Sequence, residues 1–120
     1  MKKLLVLLLL VACSEQKTET SLSPQDFNSK YRSTVNAVLL DVRTEAEVKE
    51  GTIAGSQNIV YDNAFADKLE KLSAETPVFV YCAAGKRSAK AAEIMKAKGF
   101  KEVYQLKGGL NAWREAKLPL

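Results

Sequence analysis

The run V-F-V-Y-C-A-A-G-K-R-S-A-K-A-A-E-I-M-K-A-K, from Val78 to Lys98, constrains this chain more than any other stretch. Val78 to Tyr81 is short, apolar and bounded by Pro77, the pattern of a buried strand. Ser88 to Lys98 holds good helix formers, ends in lysines and is stopped by Gly99. A tight turn, Cys82 to Arg87, joins the two. A strand, a short turn and a helix in that order are the unit from which layered α/β sheets are built. The turn also sets a cysteine between a strand end and a helix N-terminus. Turn N–H groups and the positive end of the helix dipole can converge on its sulfur. Lys86 and Arg87 bring two full charges to the same corner. All three effects favour thiolate over thiol, and the thiolate is the nucleophile.

The rest of the chain repeats the alternation. Ser23 caps a helix with Pro24 at its first position, Asp26 in its first turn, and Phe27 and Tyr31 on one face. Ala37 to Val42 is a continuously apolar strand that carries Asp41 at its end, as expected where both faces are covered. Thr44 and Glu47 fit a capping box for a short helix that Gly51 ends. Gly51 to Gly55 reads as a loop and Gln57 to Tyr61 as a short strand with Ile59 facing the core. Asp62 to Leu72 predicts a helix with Phe65, Leu69 and Leu72 on one face. Glu102 to Leu106 is the last strand. Lys107-Gly108-Gly109 turns it into a helix from Leu110 to Ala116 that carries Trp113. The expected fold is α/β: an open, mostly parallel central sheet of about five strands with helices on both faces. In such sheets ligands sit at the carboxyl ends of strands. Asp41 and Cys82 both end strands, and if those strands are neighbours both residues point into one crevice.

Composition excludes several classes. The chain has 120 residues, enough for one domain with one core. It contains no histidine, which removes His metal ligands, a Cys–His dyad and histidine general bases. Its two cysteines, Cys13 and Cys82, lack metal-ligand spacing, so no metal and no cofactor are expected. The net charge is +4, and Lys2 and Lys3 supply two of those charges. The remainder is too mild for a nucleic-acid partner, and no basic run interleaved with aromatics appears.

The N-terminus reads M-K-K-L-L-V-L-L-L-L-V-A-C. Two lysines and an apolar run too short to span a bilayer have the shape of a signal segment. Leu10-Val11-Ala12-Cys13 resembles a bacterial lipobox. That resemblance implies cleavage before Cys13 and lipid on Cys13; a plain signal peptide or a buried apolar arm are the alternatives. Residues 1–12 are then the signal peptide. Residues 13–21 form the lipidated cysteine and a polar tether, and residues 22–120 form the folded domain. Ser14 stands where the sorting pattern places an inner-membrane retention aspartate. The expected location is therefore the bacterial cell envelope, on the periplasmic side or at the outer membrane.

Four segments carry a further resemblance: L-L-D-V-R-T-E-A-E (Leu39 to Glu47), G-T-I-A-G-S-Q-N-I (Gly51 to Ile59), V-Y-C-A-A-G-K-R-S (Val80 to Ser88) and L-K-G-G-L-N-A-W (Leu106 to Trp113). In this order they resemble the rhodanese-like family over roughly residues 22–120. The resemblance implies a central parallel sheet of about five strands and sulfur transfer through a cysteine persulfide. The expected partners are a small anionic sulfur donor such as thiosulfate and an acceptor, cyanide or a thiol. Cys82 takes the nucleophile's position, and Ala83, Ala84, Gly85, Lys86, Arg87 and Ser88 the loop that cradles the persulfide. Asp41 and Arg43 match a pair near the site that supports the loop. Members commonly carry a histidine where this chain has Thr52, a position read as structural.

The residues agree with that chemistry. Ala83, Ala84 and Gly85 leave room for one extra atom, and Lys86 and Arg87 can attract an anionic donor. Each residue also has a plainer reading: an inert buried thiol for Cys82, a solvated helix start for Lys86 and Arg87, a cap or salt bridge for Asp41, an ion pair with Glu45 or Glu47 for Arg43, a core anchor for Trp113. Two other functions are open. One is a lipid-tethered persulfide carrier or binding module for a partner protein. The other is a cysteine phosphatase or arsenate reductase. That second class spaces its loop C-x5-R, where this chain has C-x4-R and Ser88 at the arginine's place.

Overall fold

The computed structural model describes residues 20–120. The signal segment, Cys13 and most of the tether lie outside the described residues. The elements run β1 (Ser21–Leu22), α1 (Pro24–Ser33), β2 (Val38–Asp41), α2 (Glu45–Lys49), β3 (Gln57–Asn58), α3 (Phe65–Lys68), β4 (Val78–Tyr81), α4 (Lys86–Ala97), β5 (Val103–Leu106) and α5 (Gly109–Glu115). The five strands form one sheet in the order β1-β5-β4-β2-β3, and every pairing is parallel.

Alternate residues of the central strands feed two cores. On one face Leu40, Val42, Val78, Val80 and Cys82 meet Phe65 and Leu69 from the α3 region and Ala91, Ala92 and Met95 from α4. On the other face Leu39, Phe79, Tyr81 and Leu106 meet Phe27 of α1 and Leu110 and Trp113 of α5. This double covering is the physical reason for the uninterrupted apolar runs in β2 and β4. Full burial of each such Leu, Phe or Val is worth about 1.5–3 kcal/mol. Phe79 anchors the second face: it stacks on Tyr104 at 4.9 Å and meets the edge of Phe27 at 5.4 Å. Trp113 is a core anchor, buried, with its indole N–H donating to the Pro119 carbonyl at 3.1 Å.

Local signals place the helices. The Ser23 hydroxyl accepts from the Asp26 N–H at 3.1 Å, and Pro24 follows it. Thr44 and Glu47 form the expected capping box. Several boundaries differ from the sequence pattern. Ser21, placed in the tether, belongs to β1, where Gln105 and Lys107 donate their N–H groups to the Thr20 and Leu22 carbonyls. The helix predicted over 62–72 is a single turn, α3, followed by a 3₁₀ turn at Leu69–Lys71. Asp62 holds a turn ahead of it by accepting from the Ala64 N–H, and the Leu72 N–H closes onto Leu69 three residues back. The β3 ladder is only two residues long, although Ile59 does face the core. α4 starts at Lys86 rather than Ser88, because Gly85 sits at φ +101° and turns the chain into the helix two residues earlier. Among the described residues no helix is long and apolar enough to cross a membrane.

Candidate active site

Cys82 follows β4 directly, and its side chain is 1% exposed. Its sulfur is surrounded by donors. The Gly85 N–H donates to Sγ at 3.1 Å and the Ser88 N–H at 3.4 Å. The thiol S–H donates to Ser88 Oγ at 3.5 Å, and the Ser88 O–H donates to the Gly85 carbonyl at 3.2 Å. In the thiolate the Ser88 hydroxyl can turn and donate to sulfur instead. Burial pushes the Cys82 thiol up. The Ser88 hydroxyl and the Ser88, Gly85 and Ala84 amides outweigh burial and hold it below its ordinary value. The expected direction is therefore met, and the foremost agents are the turn's hydrogen bonds, one of the three effects the sequence suggests.

The last element of the fold orients the first amides of the loop, that of Ala84 among them. The Leu110 N–H donates to the Cys82 carbonyl at 2.8 Å and the Asn111 N–H to the Ala83 carbonyl at 3.0 Å. In a trans peptide the N–H points opposite to the C=O. Holding the Cys82 and Ala83 carbonyls on α5 therefore turns the Ala83 and Ala84 amides back into the loop. Gly109, at φ +63°, permits this approach. A Cβ there would lie 2.5 Å from the Cys82 carbonyl oxygen and 2.6 Å from the Ala83 carbonyl carbon and oxygen. The sequence pattern shows Lys107-Gly108-Gly109 as a turn; that Gly109 docks on the Cys82 and Ala83 backbone is a tertiary contact no local signal reports.

Lys86 and Arg87 occupy the first turn of α4, and their surroundings differ. Lys86 is exposed. Arg87 is half-buried and forks onto Glu47, Nη1 to Oε1 at 2.7 Å and Nη2 to Oε2 at 3.0 Å. Glu47 is the capping-box residue of α2, so one carboxylate serves two structures. The Thr44 N–H donates to its Oε1 at 3.3 Å and the Thr44 hydroxyl at 3.1 Å. The Arg87 fork, opposed by burial and helped by Thr44, holds the Glu47 carboxyl down to about 2.

Asp41 and Arg43 form a separate site. Strands β2 and β4 are neighbours, as the crevice reading requires, but Asp41 pairs in register with Tyr81, not with Cys82. Side chains alternate across a sheet, so the Asp41 carboxylate falls on the Tyr81 face and Cys82 on the opposite one. The two residues do not share a crevice. Asp41 instead accepts from Arg43 Nη2 at 2.7 Å, Arg43 Nε at 3.1 and 3.2 Å, the Arg43 N–H at 2.9 Å and the Thr52 hydroxyl at 2.9 Å. Arg43 also donates to the Gly51 carbonyl at 2.7 Å and the Glu47 carbonyl at 3.3 Å. The Tyr81 hydroxyl lies 2.7 Å from both Thr52 Oγ1 and Ser56 Oγ and accepts from the Ile53 N–H at 3.1 Å. Thr52 is thus a bridge between Asp41 and Tyr81, the structural part its position suggested. Arg43 reaches the Cys82 loop only through Glu47, whose backbone it holds and whose side chain holds Arg87.

A parallel five-stranded sheet with a cysteine loop between β4 and α4 defines the class of domain, and comparison with known proteins gives the family. The chain belongs to the rhodanese-like domain family, which matches residues 23–116. It is 34% identical to the Bacillus subtilis protein YqhL over 99 residues, covering 82% of this chain and 75% of that one. It is 34% identical over 111 residues to the tRNA uridine(34) hydroxylase of Pelagibacter ubique, covering 91% of this chain and 36% of the hydroxylase. The chain therefore spans about a third of the length of that relative. Among solved structures, a rhodanese-related protein from Thermoplasma volcanium superposes with a TM-score of 0.73 at 30% identity, covering 82% of this chain and 94% of that one.

Proposed function

We propose that the protein is a sulfurtransferase that carries a sulfane sulfur as a persulfide on Cys82. The supporting observation is the set of donors at the sulfur: the Gly85 and Ser88 N–H groups and a Ser88 hydroxyl that can turn to donate. The Cys82 thiolate attacks the outer sulfur of thiosulfate. A sulfur–sulfur bond forms at Sγ, the donor's own sulfur–sulfur bond breaks, and sulfite leaves with the electron pair. The persulfide anion keeps the charge beside the same amides. Cyanide or a thiolate then attacks the outer sulfur and releases the Cys82 thiolate. No proton transfer is required when the cysteine starts ionised, which suits a chain without histidine. Ala83, Ala84 and Gly85 present methyl groups or nothing to the incoming atom.

Phosphoryl and arsenate chemistry is less well supported. Those enzymes hold the transferred tetrahedral group with an arginine at the C-x5-R position, where this chain has Ser88, and Arg87 is forked onto Glu47. Hydroxylation of tRNA is not carried over from the hydroxylase relatives, since the match spans about a third of the Pelagibacter protein. The motif at Leu10 to Cys13 supports the second half of the proposal: lipid on Cys13 tethers the domain to a bacterial envelope membrane, and the partners are a small sulfur donor and a thiol acceptor.

Intact mass of protein purified from bacterial membranes tests both halves. The expected protein begins at Cys13 with lipid attached. It gains one sulfur, about 32 Da, with thiosulfate and loses it with cyanide. Cys82→Ser should take no sulfur, and Cys13→Ser should carry no lipid. Sulfur retained on the Cys82 variant would overturn the first half, and lipid on the Cys13 variant the second.

A further inference from the structure

Arg87 stands in the first turn of α4, one residue before the serine that contacts the nucleophile, and it carries the charge best shaped to hold a small oxyanion. Both of its terminal nitrogens are occupied by Glu47. Glu47 is not free to swing away. The capping box ties its carboxylate to Thr44, and Arg43, buried against Asp41, holds its carbonyl. The pair joins residues 40 apart in sequence and closes the Cys82 loop against α2. The Glu47 charge thus cancels the guanidinium that stands next in sequence to the serine contacting the sulfur. Lys86 remains an exposed cation of the loop, and lysine is a poorer fork.

We infer that Glu47 is a specificity-determining residue that lowers the use of doubly charged donors such as thiosulfate relative to alkyl hydropersulfides, which carry at most one charge and react in their neutral form. The inference rests on the sulfurtransferase reading above and names the donor class for it. With an alkyl hydropersulfide, the Cys82 thiolate attacks the outer sulfur, the donor's sulfur–sulfur bond breaks, and an alkyl thiolate leaves with the electron pair. The Cys82 hydropersulfide that forms then loses its proton to water. In its reacting, protonated form that donor brings no charge for Glu47 to repel and needs no arginine fork.

The test compares thiosulfate with an alkyl hydropersulfide on the full chain, as the ratio of their kcat/KM values. Glu47→Gln is the informative variant, because glutamine keeps the capping box while removing the charge. Freeing one partly exposed guanidinium should raise the thiosulfate-to-hydropersulfide ratio about three- to fivefold, mainly through a lower KM for thiosulfate. Adding Arg87→Ala to Glu47→Gln should abolish that gain, an outcome that a structural role for Glu47 would not produce. A ratio unchanged in Glu47→Gln, with both donors still used, would overturn the specificity role and leave sulfur transfer standing. A chain that takes sulfur from neither donor would overturn the sulfurtransferase reading and this inference with it.

Discussion

Cys82 and Asp41 follow and end adjacent strands, are buried to the same degree, and differ in one respect. Asp41 is balanced. Its two oxygens face Arg43 and Thr52, Arg43 has carbonyls for its remaining donors, and Asn58 donates to the Asp41 and Arg43 carbonyls at 2.8 and 2.9 Å. No buried side-chain polar atom among the described residues lacks a partner. Cys82 is unbalanced. Its sulfur accepts from two backbone N–H groups, and the Ser88 hydroxyl that takes its S–H can turn to donate once the sulfur is charged. A buried site whose donors and acceptors match has nothing left to react with. A site with a surplus of donors is poised to stabilise an anion. The contrast sets a satisfied ion pair on one face of the sheet against a sulfur held by donors on the other.

The largest effect should come from breaking the balanced site. Arg43→Ala leaves the Asp41 carboxylate, 0% exposed, without its cation. An uncompensated buried charge costs about 3–5 kcal/mol. For a domain of this size that lowers Tm by roughly 15 °C or more, measurable by thermal unfolding. The same variant also releases the Glu47 carbonyl, so loosening of α2 should accompany the loss. A Tm within a few degrees of the parent chain would show that the pair is a replaceable ornament of the sheet edge.

An intermediate effect is expected where α5 meets the loop. Gly109→Ala forces a Cβ into the Cys82 and Ala83 backbone, and it does so at a φ that alanine tolerates poorly. Strain of this kind costs about 1–3 kcal/mol. Gly99→Ala is the matched control: its φ is also positive, +93°, but nothing lies within 4 Å of the added atom. Both variants should lose stability, and only Gly109→Ala should slow alkylation of Cys82 by iodoacetamide. Equal alkylation rates in the two would mean that α5 does not orient the amides of the loop.

The parts of this site that were legible in the sequence are those made by neighbours along the chain. The β4 strand, the cysteine after it, the Ser23 cap and the Thr44–Glu47 box all depend on residues within a few positions of one another. The parts that were not legible depend on register and on distant partners. Whether Asp41 shares a face with Cys82 is settled by a one-residue offset between β2 and β4, and a strand's apolar run carries no register when both faces are buried. Arg87 looks free in its motif because Glu47 is 40 residues away. Gly109 looks like any turn glycine until α5 is laid against the loop. α4 begins at Lys86 because a glycine can act as an N-cap by conformation alone, which side-chain cap patterns do not reveal.

The smallest effect should fall on the unbalanced site and reads directly on its imbalance. Ser88→Ala removes the hydroxyl and keeps the amide, so the sulfur loses one of its donors. A hydrogen bond to a charged acceptor is worth about 1.5 kcal/mol, and one to the neutral thiol is worth less. The thiol's midpoint should move up, because the hydroxyl is the foremost of the groups that hold it below the ordinary 9.0. The rate of alkylation against pH should therefore shift to higher pH, with a rate about tenfold lower below the midpoint and curves that meet once both sulfurs are ionised. The sign also carries to stability. A thiol that titrates lower in the folded chain makes folding more favourable as pH rises from its folded midpoint to 9.0, and that gain is lost as pH falls back through the folded midpoint. Ser88→Ala narrows that window from below, so its deficit against the parent chain should be greatest at the alkaline end. An alkylation profile with an unmoved midpoint would assign the low thiol pKa to the backbone amides alone, and Ser88 would then be a packing residue at the start of α4.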